Sequence, residues 1–544
     1  MDLVRPTEFA AAASTALPGA VARAPTVDAL VVGGGINGAG IARDLAGRGH
    51  RVLLCEQDDL AAHTSSSSTK LIHGGLRYLE YREFSLVKKA LAEREVLLKG
   101  APHIMWPLRF VMPHDPSMRP FWLIRLGLFF YDHLARREVL PGSRTVDLRR
   151  HAAGAPLKPG YRRGFVYSDG WVDDARLVVL CAIDAAERGA EILTRWRCID
   201  ARRGPTRWQV RLRHADGRER AVETRLLVNA AGPWAAQFMG DHAHIPRHRP
   251  LRLVKGSHIV VRRLFAHDHA YIFQNPDGRI IFAIPYERDF TLIGTTELEH
   301  TGPIGTARIE ASEIDYLCAQ ASRYFTRPVS PGDVVWTYSG VRPLLDDEAG
   351  NPAAVTRDYR LELDAAEAAP LLSVWGGKIT TFRKLAEEAG DLVTPLLPAD
   401  LGGSGRAAWT ADAKLPGGDI VAWLGDRAGP EAEVGPNFDR FVDALMARNG
   451  QVQPALIHRL ARAYGTRADA LLAGGLGAEI APGLHEAELL YLVRREWATS
   501  AEDVLWRRSK LGLHLDSDGR AAVARWMAAA DIPGAMAIRG VAAV

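Results

Sequence analysis

Residues Asp28–Glu56 read DALVVGGGINGAGIARDLAGRGHRVLLCE, and this stretch decides the fold class. Ala29-Leu30-Val31-Val32 is an unbroken apolar run of the kind a strand buried on both faces requires. It stops at Gly33-Gly34-Gly35. Ile36 to Gly47 then has helical spacing, with Ile41 and Leu45 on one face, and Arg51-Val52-Leu53-Leu54-Cys55 is a second buried strand ending at Glu56. Strand, glycine turn, helix and strand within roughly 30 residues form a βαβ unit. Its Gly33-x-Gly35-x-x-Gly38 spacing is that of a dinucleotide site. The first glycine allows the tight turn, the second lets a pyrophosphate reach the backbone, and the third lets helix and strand pack closely. Glu56 is placed to accept hydrogen bonds from ribose hydroxyls. An acid there disfavours a 2′-phosphorylated nucleotide but does not separate NAD from FAD.

Outward from this unit the chain alternates between two styles. Glu80–Leu98 and Asp174–Arg188 read as helices, and Glu191–Thr194, Trp208–Leu212 and Thr224–Val228 as strands. Between about 251 and 345 the pattern becomes short alternating strands (Ser257–Val261, Ile280–Ile284, Phe290–Ile293), with a Pro276-Asp277-Gly278 turn between the first two. The parallel style returns at Leu371–Trp375. These shifts predict an α/β, Rossmann-like nucleotide domain made of 28–100, 160–250 and 345–397. A substrate or cap region with an antiparallel sheet is formed by 101–159 and 251–344. A linker at 398–435 leads to a helical domain at 436–544, and residues 1–27 form an N-terminal extension.

Bulk properties exclude several function classes. A formal charge of +4 on 544 residues is too small and too dispersed for nucleic-acid binding, but it suits an anionic substrate or membrane surface. Four widely spaced cysteines, without CxxC, give neither a disulfide framework nor a metal site, and favour a reducing compartment. No run approaches ~18 uncharged apolar residues, so a spanning helix is not expected. Arg119–Arg137 (RPFWLIRLGLFFYDHLARR) is instead dense in Phe, Trp and Leu, flanked by arginines and interrupted by Arg125. It reads as a helix lying in a membrane interface or, alternatively, as a buried core helix.

A hydroxyl-rich run, Thr64 to Thr69, follows the ribose-site strand and continues through Lys70 into His73-Gly74-Gly75. Read from composition alone, it is either a solvated loop or a loop bonding phosphate and ring edges. Together with this run, HGGLRYLE (73–80), SDGWVDDARL (168–177), NAAGPW (229–234), KGSHIVV (255–261), IGTTE (293–297), WTYSGVRPL (336–344) and WGGKITTFRKLAE (375–387) resemble the FAD-dependent (aerobic, respiratory) glycerol-3-phosphate dehydrogenase family. The resemblance runs from Asp28 to Pro416 and includes the helical tail Ala487–Leu513. It implies an FAD-binding fold of the D-amino-acid-oxidase/glutathione-reductase type. It also implies oxidation of sn-glycerol 3-phosphate to dihydroxyacetone phosphate, electrons passing to a membrane quinone, and a homodimer at the cytoplasmic face of the membrane.

Carried over by residue, the resemblance assigns Gly33, Gly35, Gly38 and Glu56 to the adenosine-diphosphate site. Ser65, Ser68, Lys70 and His73 fall in the loop passing the pyrophosphate and rings, Ala231 and Gly232 form a second backbone contact, and Gly376 and Gly377 face the flavin edge. Ala231 stands where the family often has Thr. Arg342 and Lys378 match the phosphate-binding pair, with Arg77, Tyr78 and Thr380 as neighbours. His258 is the first candidate for the base that takes the C2 hydroxyl proton, with His73 and a deprotonated Lys378 as alternatives. An oxidase passing electrons to oxygen, an amine or amino-acid oxidase using Arg342 to hold a carboxylate, and a non-catalytic flavoprotein are the competing readings.

Overall fold

Gly33 adopts φ +114°, and a Cβ on it would lie 2.4 Å from the carbonyl oxygen of Ala230. A Cβ on Gly38 would lie 1.9 Å from the carbonyl oxygen of Gly33. The turn can therefore close only with glycine at both positions, and the helix Ile36–Gly47 is seated directly over the strand Thr26–Val32. The computed structural model describes residues 25–115, 119–246, 250–345, 358–398 and 407–530. Most of the expected N-terminal extension (1–24) and part of the expected linker (399–406) lie outside the described residues.

Around this turn the strands run in the order Arg360–Asp364, Leu371–Trp375, Glu219–Asn229, Thr26–Val32, Val52–Glu56, Glu191–Thr194. The four contacts among the last five are parallel, with Ala29 opposite Val52, Val32 opposite Asn229, and Asn229 opposite Ser373. The carboxyl ends of the central strands thus finish side by side, the edge at which open α/β sheets bind ligands. Ile41, Leu45, Val179, Ile183 and Leu385 belong to one fully buried cluster that packs the covering helices onto this sheet.

The second sheet has ten strands and carries the alternating segments. Leu251–Arg262 pairs antiparallel with both Phe290–Gly294 and Val334–Leu345. Two differences from expectation concern this sheet, and a third concerns the helix expected from Glu80. The Pro276–Gly278 turn joins Ile280–Tyr286 to Ala270–Gln274, a strand not anticipated between Val261 and the turn. Arg163–Val172 and Leu71–Ile72, expected in the nucleotide domain, pair here instead. The helix expected from Glu80 begins at Phe84, after a 3₁₀ segment Leu76–Tyr81.

The C-terminal helices, with a short hairpin Glu479–Ala481/Leu484–His485, enclose their own core of Phe438, Phe441, Leu460, Leu489 and Val504. They are fastened to both sheets. Arg508 donates to Asp59 at 2.6 and 2.7 Å, just beyond Glu56, and Arg195 pairs with Asp503 at 2.7 Å. Trp506 stacks on Trp336 of the second sheet at 4.5 Å. Arg176, in the helix Asp174–Glu187, is paired with Glu496, and both side chains are essentially inaccessible. A guanidinium stripped of its carboxylate in such a place is destabilising by about 3–5 kcal/mol. Glu496→Ala is expected to lower unfolding stability by that amount, measured in a reversible denaturant titration, whereas an exposed pair such as Arg149–Asp147 is expected to matter little.

Candidate active site

A cleft opens at the carboxyl edge of the parallel sheet. Its walls include Gly33, Gly35, Glu56, Ser65, Ala231, Gly232, Gly376 and Gly377, eight of the twelve expected cofactor residues. Glu56 is buried, and its two carboxylate oxygens are held by the amides of Gly34 (2.7 Å) and Asp58 (2.8 Å). Each oxygen keeps a further lone pair for a ribose hydroxyl. The helix Ile36–Gly47 has no side-chain cap from its own N-cap residue, Gly35, and the Ser65 hydroxyl accepts from the Ile36 amide at 3.0 Å. Asn37 donates to the Gly376 carbonyl at 3.1 Å, while its Oδ1 is buried without a hydrogen-bond partner. A helix N-terminus, an oriented carboxylate and an open amide acceptor along one cleft fit an adenine dinucleotide such as FAD.

The remaining expected cofactor residues are not among those lining the cleft. Gly38 lies beneath the turn. Ser68 gives both its amide and its hydroxyl to Asp174 (3.1 and 2.8 Å), and the buried Lys70 ammonium bonds the same carboxylate at 2.7 and 2.8 Å. His73 is held through its amide, which donates to Thr380 Oγ1 at 3.2 Å.

The candidate substrate residues come from three motifs far apart in sequence. Lys378 lies 4.0 Å from the centroid of the Tyr78 ring, and Thr380 holds His73. Arg342, on Val334–Leu345, reaches Glu297 (3.2 Å) and Thr295 Oγ1 (3.3 Å). Burial pushes the His73 imidazole down from its ordinary pKa; the charges of Lys378, Arg94 and Arg342 add to that shift, and Asp169 opposes it. Arg77 is not part of this group, since its guanidinium donates to the carbonyl of Gly278 on an exposed turn.

His258 is 1% exposed and stacks on Tyr338 at 4.7 Å with a 16° tilt. Burial, then the charges of Arg342 and Lys70, holds its pKa well below the usual histidine range, so it is neutral at physiological pH. A neutral imidazole has a free lone pair that can accept a proton, although burial and the nearby cations disfavour the imidazolium that results.

Sequence reasoning missed the group that braces this site. Asp169 accepts from Arg94 (2.6 Å), from the Tyr131 hydroxyl (2.6 Å) and from the Gly74 amide (3.3 Å), and the same amide donates to Tyr131 at 2.8 Å. The available signal was an acid inside an otherwise apolar strand, Arg163–Val172. Among the described residues no cluster of acids, histidines and cysteines could hold a metal ion.

Comparisons with known proteins bear on the fold and the cofactor. A family described as FAD dependent oxidoreductase matches residues 28–383, and one described as the C-terminal domain of alpha-glycerophosphate oxidase matches 408–531. A D-erythritol 1-phosphate dehydrogenase of Brucella abortus is 50% identical over 512 residues, covering 93% of this chain and 98% of that protein. A glycerol-3-phosphate dehydrogenase of Pseudomonas aeruginosa is 51% identical over 498 residues, covering 90% and 93%. Among solved structures, the glycerol-3-phosphate dehydrogenase from Bacillus halodurans complexed with FAD matches with TM-score 0.72 at 27% identity, over 92% of this chain and 90% of that one.

Removing the Glu56 carboxylate deletes the acceptors for the ribose and frees two buried amides. Glu56→Ala is expected to weaken FAD retention by about ten- to hundredfold, as one or two charge-assisted hydrogen bonds are lost. The ratio of flavin to protein absorbance after gel filtration measures it.

Proposed function

We propose that this chain, which belongs to the FAD-dependent oxidoreductase family, oxidises the C2 hydroxyl of sn-glycerol 3-phosphate to give dihydroxyacetone phosphate. The observation that carries the reading is that Arg342 bears on both His258 and His73, and Lys378 on His73, beside a nucleotide cleft. Two cations suit a phosphate dianion better than the single arginine that an amino-acid carboxylate needs. Arg342 offers a planar fork, and Lys378 a compact charge against the Tyr78 ring. His258 accepts the hydroxyl proton as the carbonyl forms. Bound FAD supplies the hydride acceptor.

A second substrate reading rests on the equally similar D-erythritol 1-phosphate dehydrogenase. That polyol phosphate has one more hydroxymethylene carbon and presents the same phosphate to Arg342 and Lys378. Initial rates with a soluble dye acceptor separate the readings. The leading one expects the highest kcat/KM for sn-glycerol 3-phosphate, and a higher value for erythritol 1-phosphate would replace it. Unphosphorylated glycerol and amino acids are expected to give no turnover. Arg342→Ala is expected to lower kcat/KM about ten- to hundredfold, chiefly through KM, because a charge-assisted contact to the phosphate is worth about 1.5–3 kcal/mol.

The acceptor we propose is a quinone within a bilayer. No helix among the described residues is long and apolar enough to cross a membrane. The helix Phe121–His133 nevertheless exposes Trp122 (67%), Leu123, Leu126, Phe129 and Phe130 on one side, with Tyr81 and Phe84 nearby. An apolar patch of this kind flanked by Arg119 and Arg136 suits the headgroup region of an anionic bilayer. The inner side of the same helix carries Tyr131, which holds Gly74, so the patch adjoins the candidate site. Trp122→Ser combined with Phe129→Ser is expected to reduce co-sedimentation with anionic vesicles severalfold and to leave dye-linked turnover intact. Unchanged sedimentation would remove this helix as the docking face.

A further inference from the structure

His258 is clamped from two directions, and both clamps lead to one carboxylate. On one side, Thr69 Oγ1 lies 3.0 Å from Nε2. On the other, Tyr338 stacks on the imidazole, donates its hydroxyl to the Ser68 carbonyl at 2.8 Å, and lies with its ring 4.8 Å from the Lys70 ammonium. Residues 66–70 are folded around Asp174. Lys70 bonds the carboxylate and the Ser66 carbonyl (2.6 Å), Ser68 bonds it twice, and the Lys70 amide donates to Ser68 Oγ at 2.9 Å. Lys70 takes φ +62°, a left-handed conformation that a side-chain-bearing residue holds only where its surroundings over-determine it. Asp174 is fully buried, and Oδ1 also accepts from the Ala175 amide at 2.8 Å, which anchors the carboxylate to the start of a helix.

Ser68 and Lys70 are not among the residues lining the cleft, and their polar atoms are bonded to Asp174. A buried ion pair contributes little net stability, and this one, with the Ser68 bonds, holds the loop in one geometry. The geometry it fixes is that of Thr69, the one residue in this stretch whose side chain meets the imidazole. His258 Nδ1 is buried and has no hydrogen-bond partner. The hydrogen bond at one ring nitrogen sets the protonation of the other.

We propose that Thr69, held by the Lys70–Asp174 pair, is a positioning residue that keeps His258 in the tautomer with Nε2–H donating to Thr69 Oγ1, leaving Nδ1 to accept the substrate hydroxyl proton. This rests on the assignment of His258 as the base. The titratable groups facing the imidazole are Lys70 from the loop and Tyr338 and Arg342 from the adjoining strand; Gly294, opposite on the other strand, contributes none. Both cations oppose a charged imidazole. Removing the Lys70 charge therefore makes His258 easier to protonate and moves the acid limb of the rate profile to higher pH.

The test compares kcat, KM and pH profiles of flavin-loaded holoenzymes. Thr69→Val keeps the ion pair and is expected to lower kcat about ten- to hundredfold with KM and flavin content within twofold, a part of the 10²–10⁴ that general base catalysis supplies. Lys70→Met is expected to shift the acid limb upward, and Lys70→Arg to restore it. In the double variant with His258→Gln, Thr69→Val should cause no further loss. A slow His258→Gln enzyme alongside an unaltered Thr69→Val enzyme overturns the positioning role alone. So does a full additional loss in the double variant, or a Lys70→Met acid limb that stays where it was. A His258→Gln enzyme as fast as the parent removes the base assignment itself, and the positioning role with it.

Discussion

The first turn of the helix Ile36–Gly47 lies so close to the preceding strand that a methyl carbon at Gly38 would meet the Gly33 carbonyl oxygen at 1.9 Å. That contact fixes how far the backbone can recede from the sheet edge, and so how deep the cleft is. The strands ending at Val32, Asn229 and Trp375 are locked in parallel register, so their exits at Gly33, Ala230 and Gly376 line one cavity. The last exit turns through Gly376 and Gly377, both with positive φ, directly into Lys378. Lys378, the cation we propose for the substrate phosphate, therefore follows the cleft-lining Gly376 and Gly377 directly. The second sheet then has only to bring Arg342 and His258 to a position that the first has already set.

Charged groups in so dry a place need partners of opposite charge. Ion pairs with almost no exposure recur around the cleft: Lys70–Asp174, Arg94–Asp169 and Arg383–Glu93. Their net effect on stability is small because desolvation offsets attraction, but each has essentially one satisfactory geometry. Arg94 and Asp169 fix the Gly74 amide, Lys70 and Asp174 fix the Thr69 loop, and Arg383 fixes the helix that follows Lys378. The C-terminal helices extend the same logic across the molecule. Arg508 to Asp59 secures the loop after the ribose carboxylate, and Trp506 on Trp336 secures the sheet that carries Arg342.

The fold and the cofactor cleft were legible because their determinants are local. The Gly33–Gly38 spacing, the apolar strand runs and Glu56 each announce themselves within a few residues, and Ile36–Gly47, Glu191–Thr194 and Leu371–Trp375 occur at the expected bounds. What escaped was decided by contacts between distant segments. Ala270–Gln274 is a five-residue strand with little alternation to mark it, defined mainly by its neighbours. The resemblance put Ser68 and Lys70 in the loop passing the pyrophosphate and rings, and what the sequence could not show is that both bond Asp174, more than a hundred residues later. Arg77 sits next to Tyr78 in sequence but turns the other way, toward Gly278. Asp169 and Tyr131 gave no motif of their own, and only the fold reveals that they meet at Gly74.

The central claim is that the C2–H bond of a phosphorylated polyol is broken beside the flavin, with Arg342 and Lys378 on the phosphate and His258 as the base. Single-turnover mixing of air-free holoenzyme with sn-glycerol 3-phosphate, with and without deuterium at C2, tests it most directly. The account predicts that the visible absorbance of the oxidised flavin is lost in one phase, that deuterium slows this phase, and that a soluble quinone restores the absorbance. An absorbance that persists under saturating polyol phosphate, yet disappears on adding an amino acid, would contradict it.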